Sequence, residues 1–266
     1  ITFGYSSDAR PFTYKDDAGN PAGWGIALCR KVADAVKAEL GAPSLGVEFV
    51  GVTRDTRIQA VADGKVDMLC DATVPTLANR KLVSYSIAIF PGGTGAVMRA
   101  DGSARLKNIL EGRDPGWQAR WRANMDQVLE RRRFAVVAGT RAEQALKSRL
   151  GEMQLDVRVV PAASYAAGVD GVLAGSADVF FGERSILLDA VKRNLASGDL
   201  VVVDRYFNRE MLAFALPRGD EDFRLTVDTA LSKLFRSGEL ATLYASYFGK
   251  PDPNTLTFFQ ADALPE

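Results

Sequence analysis

The sequence predicts an α/β fold built as two lobes. Short apolar strands alternate with amphipathic helices over residues 1–70, which is the pattern of parallel βαβ units. The alternation breaks over residues 100–133, where a strongly charged helical pattern has no place in a minimal lobe, and resumes at residue 134. Each stretch of alternation predicts one parallel-sheet lobe, and the interruption predicts a helical insertion.

Hydrophobic periodicity assigns the elements in chain order. The first lobe has predicted strands at 1–5, 46–52 and 65–70, with helices at 24–40 and at 55–63, the latter ending at Gly64. The second lobe has predicted strands at 134–137, 157–160, 178–181 and 200–203, with helices at 141–150, 165–174 and 184–194. Two further apolar strands, 95–98 and 211–215, are the predicted crossings between the lobes, and two crossings make a hinge.

Composition favours a secreted protein that binds a small molecule. Among the 266 residues, 33 basic and 33 acidic side chains cancel, so no basic excess indicates a nucleic-acid partner, and the basic cluster 131–133 is interpreted as a solvated helix end. No apolar run is long enough to span a bilayer. The chain opens directly on an apolar strand, which we interpret as a mature product whose signal peptide has been removed.

The residue types that most enzymes and metal sites require are scarce. Histidine is absent, which removes the commonest general base and the usual metal ligand. The two cysteines cannot build a zinc site and are not spaced as a redox pair. We therefore expect no metal, no cofactor and no catalytic residues.

The two cysteines have two alternative roles. Cys29 shares the apolar face of helix 24–40 with Ile26 and Val32, while Cys70 ends the strand on which this helix should pack. A disulfide between them would stabilise the fold by roughly 4 kcal/mol and indicate an oxidising compartment. The alternative is a pair of buried free thiols.

The segment 67–80 has the features of a carboxylate site. Ala72, Thr73 and Thr76 follow the strand 65–70, at the edge where open α/β sheets bind ligands. Thr76 can cap a short helix through Asn79, and Arg80 then offers a planar pair of donors that suits a carboxylate. Taken alone, Arg80 is better explained as a surface arginine on a short helix.

Segments along the whole chain resemble the periplasmic amino-acid-binding proteins of ABC importers, solute-binding family 3, and within it the glutamate/aspartate-binding group. They are 5–12, 23–24, 53–58, 83–86, 139–140, 178–183 and 247–259. The resemblance implies the type II periplasmic-binding-protein fold, whose two lobes close on a ligand like a Venus flytrap. It also implies that helices 220–236 and 239–248 return to the first lobe. The implied domains are 1–98 with 212–266, and 99–211.

The resemblance also implies ligand contacts. Arg80 matches the arginine that binds the ligand's α-carboxylate, and Thr140 matches a threonine that holds the same group from the second lobe. Glu183 stands where the family has an aspartate that pairs with the α-ammonium group. Structural alternatives remain for two of these residues, because Thr140 and Glu143 match a helix capping box and Glu183 could simply begin a helix.

The features that would set side-chain specificity disagree. Arg57 matches an arginine that the glutamate/aspartate group uses toward the side-chain carboxylate, and Arg10 and Arg54 lie in loops that could reach the cleft, which favours an acidic ligand. Other features leave an uncharged or basic ligand possible. Ser6 and Ala166 replace two basic residues of that group, Asp8 and Asp71 bring negative charge, and the register of Ala72 and Thr73 is uncertain.

Phe12 and Trp24 could line the cleft as an apolar wall or belong to the core.

The predicted function is that of a monomeric periplasmic binding protein that captures a polar, acidic amino acid and delivers it to an ABC permease in the membrane. One alternative is an enzyme on the same scaffold, like cyclohexadienyl dehydratase, with Glu183 or Asp8 as general acid. Another is the sensor domain of a receptor.

Overall fold

The computed structural model describes residues 1–113, 128–194 and 197–265. The chain divides into two compact units, which we call the first unit (Ile1–Pro91 with Glu210–Glu266) and the second unit (Gly92–Arg209). The backbone passes between them twice, at 91/92 and at 209/210.

The elements alternate in the order that the periodicity predicts, with several additions. Residues 1–99 form β1 (Thr2–Tyr5), β2 (Asp8–Ala9), β3 (Thr13–Lys15), β4 (Pro21–Ala22), α1 (Trp24–Glu39), β5 (Glu48–Gly51), α2 (Arg57–Ala62), β6 (Met68–Thr73), a 3-10 turn (Asn79–Lys81), β7 (Val83–Gly92) and β8 (Thr94–Arg99). The described residues that follow form α3 (Ala104–Glu111), β9 (Arg133–Val137), α4 (Arg141–Glu152), β10 (Arg158–Ala162), α5 (Tyr165–Leu173), β11 (Val179–Glu183), α6 (Arg184–Arg193), a 3-10 turn (Ser197–Asp199), β12 (Leu200–Val202), β13 (Glu210–Pro217), α7 (Glu221–Arg236), α8 (Glu239–Phe248) and α9 (Pro253–Asp262).

The main sheet of the first unit is mixed, with the strand order β5-β1-β6-β13-β7. Strand β1 pairs in parallel with β5 and β6, whereas β13 runs antiparallel to β6. The prediction of a purely parallel lobe is therefore wrong, because β13 is not part of a βαβ unit and returns to the sheet after the long excursion through the second unit. Strands β2, β3 and β4 form a separate small antiparallel sheet.

An aromatic core lies around α1. Trp24 is fully buried, and its indole Nε1 donates a hydrogen bond to the carbonyl oxygen of Ile89 at 3.1 Å. Gly23, with φ 117°, precedes the helix because a Cβ there would lie 2.2 Å from the carbonyl oxygen of Phe12. The start of α1 is thus fixed by close backbone packing against the loop before it.

A disulfide joins α1 to β6. The sulfur atoms of Cys29 and Cys70 are 2.08 Å apart and their Cα atoms 6.1 Å apart. The predicted pairing is confirmed, and the alternative of two free thiols does not hold.

The sheet of the second unit is also mixed, with the order β10-β9-β11-β8-β12. Strand β9 pairs in parallel with β10 and β11, while β8 runs antiparallel to β11 and β12. Residues 94–98 thus pair inside the second unit, whereas the sequence-based boundary lies at 98/99.

Only part of the predicted insertion 100–133 is described. Helix α3 buries Leu106 and Leu110 in the core of the second unit, and residues 114–127 lie outside the described residues. The interpretation of 131–133 as a solvated helix end holds only in part, since helical residues end at 130 and Arg131 is exposed, whereas Arg133 begins β9. Arg132 Nη1 and Arg133 Nε lie 3.4 and 3.3 Å from the carboxylate of Asp178.

Across 1–113, 128–194 and 197–265, the helices lack the combination of length and apolar character that spanning a bilayer would require.

Candidate ligand-binding site

Asp71 is the central acceptor of a buried network in the first unit. Its side chain is 2% exposed and lies on β6. Oδ1 accepts hydrogen bonds from the Ser6 amide at 2.7 Å and the Thr13 hydroxyl at 3.0 Å. Oδ2 accepts from the Ser6 hydroxyl and from Arg57 Nη1, the latter at 3.1 Å. A buried carboxylate is stable only with such partners, so Asp71 holds together β6, the loop after β1 and the start of α2.

This placement corrects the prediction that Asp71 brings negative charge to the rim of the site. Strand β6 continues to Thr73 instead of ending at residue 70, so Asp71 and Ala72 are strand residues. Thr73 is also buried, and its hydroxyl donates to the Asp71 carbonyl oxygen at 3.3 Å. Ala72 is half-buried.

Three of the four arginines considered as ligand contacts have partners within the first unit. Arg57 Nη1 pairs with Asp71, and the Arg57 side chain keeps 22% of its surface exposed. Arg54 Nη2 lies 3.3 Å from Asp8 Oδ2. The guanidinium carbon of Arg10 lies 4.4 Å from the centre of the Tyr14 ring. The positive charges of Arg54 and Arg57 are thereby each paired with a carboxylate of the first unit.

Arg80 differs from these three arginines. It belongs to the Asn79–Lys81 turn, which Thr76 caps as predicted, with its hydroxyl accepting from the Asn79 amide at 3.1 Å. Arg80 is exposed, and its guanidinium carbon lies 5.6 Å from the centre of the Tyr85 ring. Within the described part of the chain, its guanidinium makes no ion pair with a carboxylate. It is therefore an exposed cation without an acidic partner among the described residues.

Tyr85 is a residue that the sequence reasoning did not consider. Its side chain, 4% exposed, lies in the apolar cluster between α2 and the sheet of the first unit. Its hydroxyl is buried and has no hydrogen-bond partner in the described structure. Burial raises the pKa of the phenol, against the opposing influence of the Asn79 side chain and the charges of Arg57 and Arg80. The only sequence signal was a tyrosine in the segment 83–86.

Phe12 and Trp24 belong to the core. Phe12 is 1% exposed, and its ring centre lies 4.9 Å from that of Phe90 and 5.5 Å from that of Phe248. Both side chains are buried in the first unit, so they form no open apolar wall there. This burial corrects the interpretation of Phe12 as a ligand contact.

In the second unit, Glu183 caps a helix. It ends β11 and precedes α6, and its Oε1 accepts from the Ser185 amide at 3.4 Å. Oε2 accepts from the Gly93 amide at 2.9 Å, close to the first backbone crossing. Glu183 therefore caps α6, which is the structural alternative for this residue.

Thr140 caps α4, with its hydroxyl accepting from the Glu143 amide at 3.2 Å and donating to the Val137 carbonyl oxygen at 2.7 Å. The Glu143 carboxylate reaches the Gly139 amide at 2.7 Å, one residue earlier than the capping box predicts. Ala166 is exposed on the first turn of α5. At the start of α4, the Glu143 amide is therefore already bound by the Thr140 cap.

A search of the described residues for three or more His, Cys, Asp or Glu side chains placed to hold a metal ion finds no such group.

Two α/β units with mixed sheets, connected by two crossings of the backbone, define the architecture of the two-lobed periplasmic binding proteins. The family model of bacterial extracellular solute-binding proteins, family 3, matches residues 1–250, so the chain belongs to that family.

Two curated relatives and one solved structure illustrate the similarity. The L-glutamate/L-aspartate-binding protein of Pseudomonas aeruginosa is 28% identical over 95% of this chain and 78% of its own. The glutamate/aspartate import solute-binding protein of Escherichia coli is 21% identical over the same shares. An ancestral amino-acid-binding protein, described as a precursor of cyclohexadienyl dehydratase, superimposes with a TM-score of 0.74. It is 24% identical and covers 93% of this chain and 94% of its own.

Proposed function

We propose that this protein is an extracytoplasmic binding protein that captures a free α-amino acid and passes it to an ABC permease. The observation that carries the proposal is Arg80, an exposed guanidinium that makes no ion pair with a carboxylate of the described chain. A planar pair of N–H donors in that position suits the α-carboxylate of a ligand. Glu183 is the proposed partner of the ligand's ammonium group, because a carboxylate suits an ammonium cation.

We propose an acidic side chain for the ligand, in the class of glutamate and aspartate. Two relatives whose printed names give these amino acids support this class. Arg57 is half-buried and uses Nη1 for Asp71, which leaves other N–H donors of its guanidinium for a second carboxylate. The pair with Asp71 weakens the positive field of Arg57, so we expect less preference for acidic ligands than two unpaired arginines would give.

The proposed mechanism is binding of the ligand without a chemical step. The relatives are binding proteins associated with transport, which supports this interpretation over an enzyme. Prephenate and arogenate are the substrates to test for turnover, and conversion of either one would contradict the proposal. Size-exclusion chromatography with light scattering tests the proposed monomer.

The first experiment is a thermal-shift screen of the purified protein against the twenty amino acids. A ligand that binds the folded state alone raises the melting temperature, by an amount that grows with ligand concentration above Kd. We expect glutamate or aspartate to produce the largest shift, with dissociation constants in the micromolar range or tighter, about −8 kcal/mol or stronger. No shift with any amino acid would contradict the proposed function.

A further inference from the structure

The hydroxyl of Tyr85 is an unpaired donor in the interior of the first unit. The side chain is 4% exposed, and within the described residues the hydroxyl has no partner at hydrogen-bond geometry, although the Asn79 side chain lies near enough to oppose the rise of its pKa. Burying a hydroxyl without a partner is unfavourable, because the group gives up its hydrogen bonds to water. A phenylalanine would fill the same apolar cluster without that cost, so the hydroxyl calls for an explanation outside packing.

The position of this hydroxyl suggests the explanation. The Tyr85 ring packs among the residues between α2 and the sheet, and the exposed guanidinium of Arg80 lies 5.6 Å from its centre. The charges of Arg57 and Arg80 both act on the phenol. The hydroxyl therefore lies close to the two cations that the proposed function gives to the carboxylates of the ligand.

The protonation state of Tyr85 suits a hydrogen-bond donor. Burial raises the pKa of Tyr85, so the phenol stays neutral at pH 7 and keeps its proton. A neutral O–H donor on a ring that lies 5.6 Å from the Arg80 guanidinium carbon suits an anionic acceptor, since a hydrogen bond to a charged acceptor is stronger than one between neutral groups.

We propose that the Tyr85 hydroxyl donates a hydrogen bond to a carboxylate group of the bound ligand, beside Arg80. This inference rests on the proposed function and adds a specificity residue to it. The contact forms when the exposed Arg80 guanidinium, which lies over the ring, moves onto the ligand and opens the hydroxyl to it.

The test is isothermal titration of L-glutamate and L-aspartate into the wild type and the Tyr85→Phe variant. Tyr244→Phe is the matched control, because Tyr244 is also buried in the first unit but packs against Trp24 and Phe90. We expect Tyr85→Phe to weaken binding about tenfold or more, and Tyr244→Phe to leave affinity unchanged. The melting temperature of Tyr85→Phe without ligand should equal or exceed that of the wild type.

The outcomes separate this inference from the proposed function. If the wild type binds the ligand and Tyr85→Phe binds it with the same affinity, the inference is overturned and the proposed function stands. A Tyr85→Phe variant that melts earlier without ligand would also overturn it, since the hydroxyl would then have a partner inside the fold. Absence of binding by the wild type to all twenty amino acids would overturn both.

Discussion

Nη1 of Arg57 lies 3.1 Å from Oδ2 of Asp71, a carboxylate whose side chain is 2% exposed. The pair connects the first residue of α2 to the middle of β6. Because Ser6 and Thr13 donate to the same carboxylate, the pair is one part of a buried network. Arg57, a residue of the proposed ligand site, is thus held in place by a buried acid of the same unit.

Replacing Asp71 by alanine should destabilise the first unit strongly. The change leaves the half-buried Arg57 guanidinium and the donors of Ser6 and Thr13 without their acceptor. Removal of one partner of a buried pair costs roughly 3–5 kcal/mol. Urea denaturation followed by circular dichroism measures the loss. Asp34→Ala, at an exposed position of α1, is the control and should change stability by less than about 0.5 kcal/mol. An equal effect of the two changes would contradict the role of Asp71.

Replacing Arg80 by alanine should abolish ligand binding without loss of stability. Arg80 is exposed and makes no ion pair within the described residues, so its removal leaves no buried group unpaired. Loss of a two-donor contact to a carboxylate should weaken binding by about a hundredfold or more. Isothermal titration of the amino acid that gives the largest thermal shift measures the change.

Arg224→Ala is the control for Arg80→Ala. Arg224 also lies in the first unit, on α7, and pairs with Glu221 across one turn of the helix. We expect this variant to keep full affinity. Unchanged affinity in Arg80→Ala would exclude Arg80 as the carboxylate-binding residue.

The disulfide gives a third prediction. The Cys29→Ser/Cys70→Ser variant should lose roughly 4 kcal/mol of stability in the chain-entropy model, because the bond closes a loop between residues 41 positions apart. Urea denaturation measures this loss. Dithiothreitol should lower the denaturation midpoint of the wild type toward that of the variant and leave the variant unchanged. If dithiothreitol leaves the denaturation midpoint of the wild type unchanged, the bond contributes little to stability or is inaccessible in the folded state.

Local signals in the sequence predicted much of the fold. The apolar face of α1 and the apolar strand before Cys70 brought the two cysteines together and made a disulfide one of two alternatives, and Thr76 with Asn79 was enough to predict a capped turn. Each of these features depends on residues close together in the chain or on one helix packing on one strand.

The errors concern contacts between distant segments. Asp71 resembles the first residue of a loop, whereas it lies in β6, which pairs with β13 on both sides of it, and its carboxylate has Ser6, Thr13 and Arg57 as partners. The antiparallel β13 could not be predicted from βαβ periodicity, because its direction depends on where the chain returns to the sheet. The unpaired hydroxyl of Tyr85 was equally hidden, since its lack of a partner is a property of the packed cluster around it.

Two buried acids give a prediction for pH dependence. Burial raises the pKa of Asp228 and of Asp262, and the charge of Asp262 raises the pKa of Asp228 further. Asp228 accepts a hydrogen bond from the Ile87 amide at 2.8 Å, whereas Oδ2 of Asp262 is buried without a partner. Asp262 is therefore the acid whose ionisation the fold tolerates less.

A pKa raised in the folded state means that the protonated acid favours folding. This contribution is fully present below the unfolded pKa of about 3.9 and is lost as pH rises through the higher folded value. Asp262→Asn keeps an oxygen that accepts a hydrogen bond and removes the charge, so it should be more stable than the wild type at pH 7. The gain should shrink toward pH 4, where the wild-type acid gains its proton. Urea denaturation between pH 4 and 8 measures the difference, and Asp34→Asn on the exposed side of α1 should show none of this pH dependence. A gain of the same size at both ends of the range would assign the effect to packing instead of ionisation.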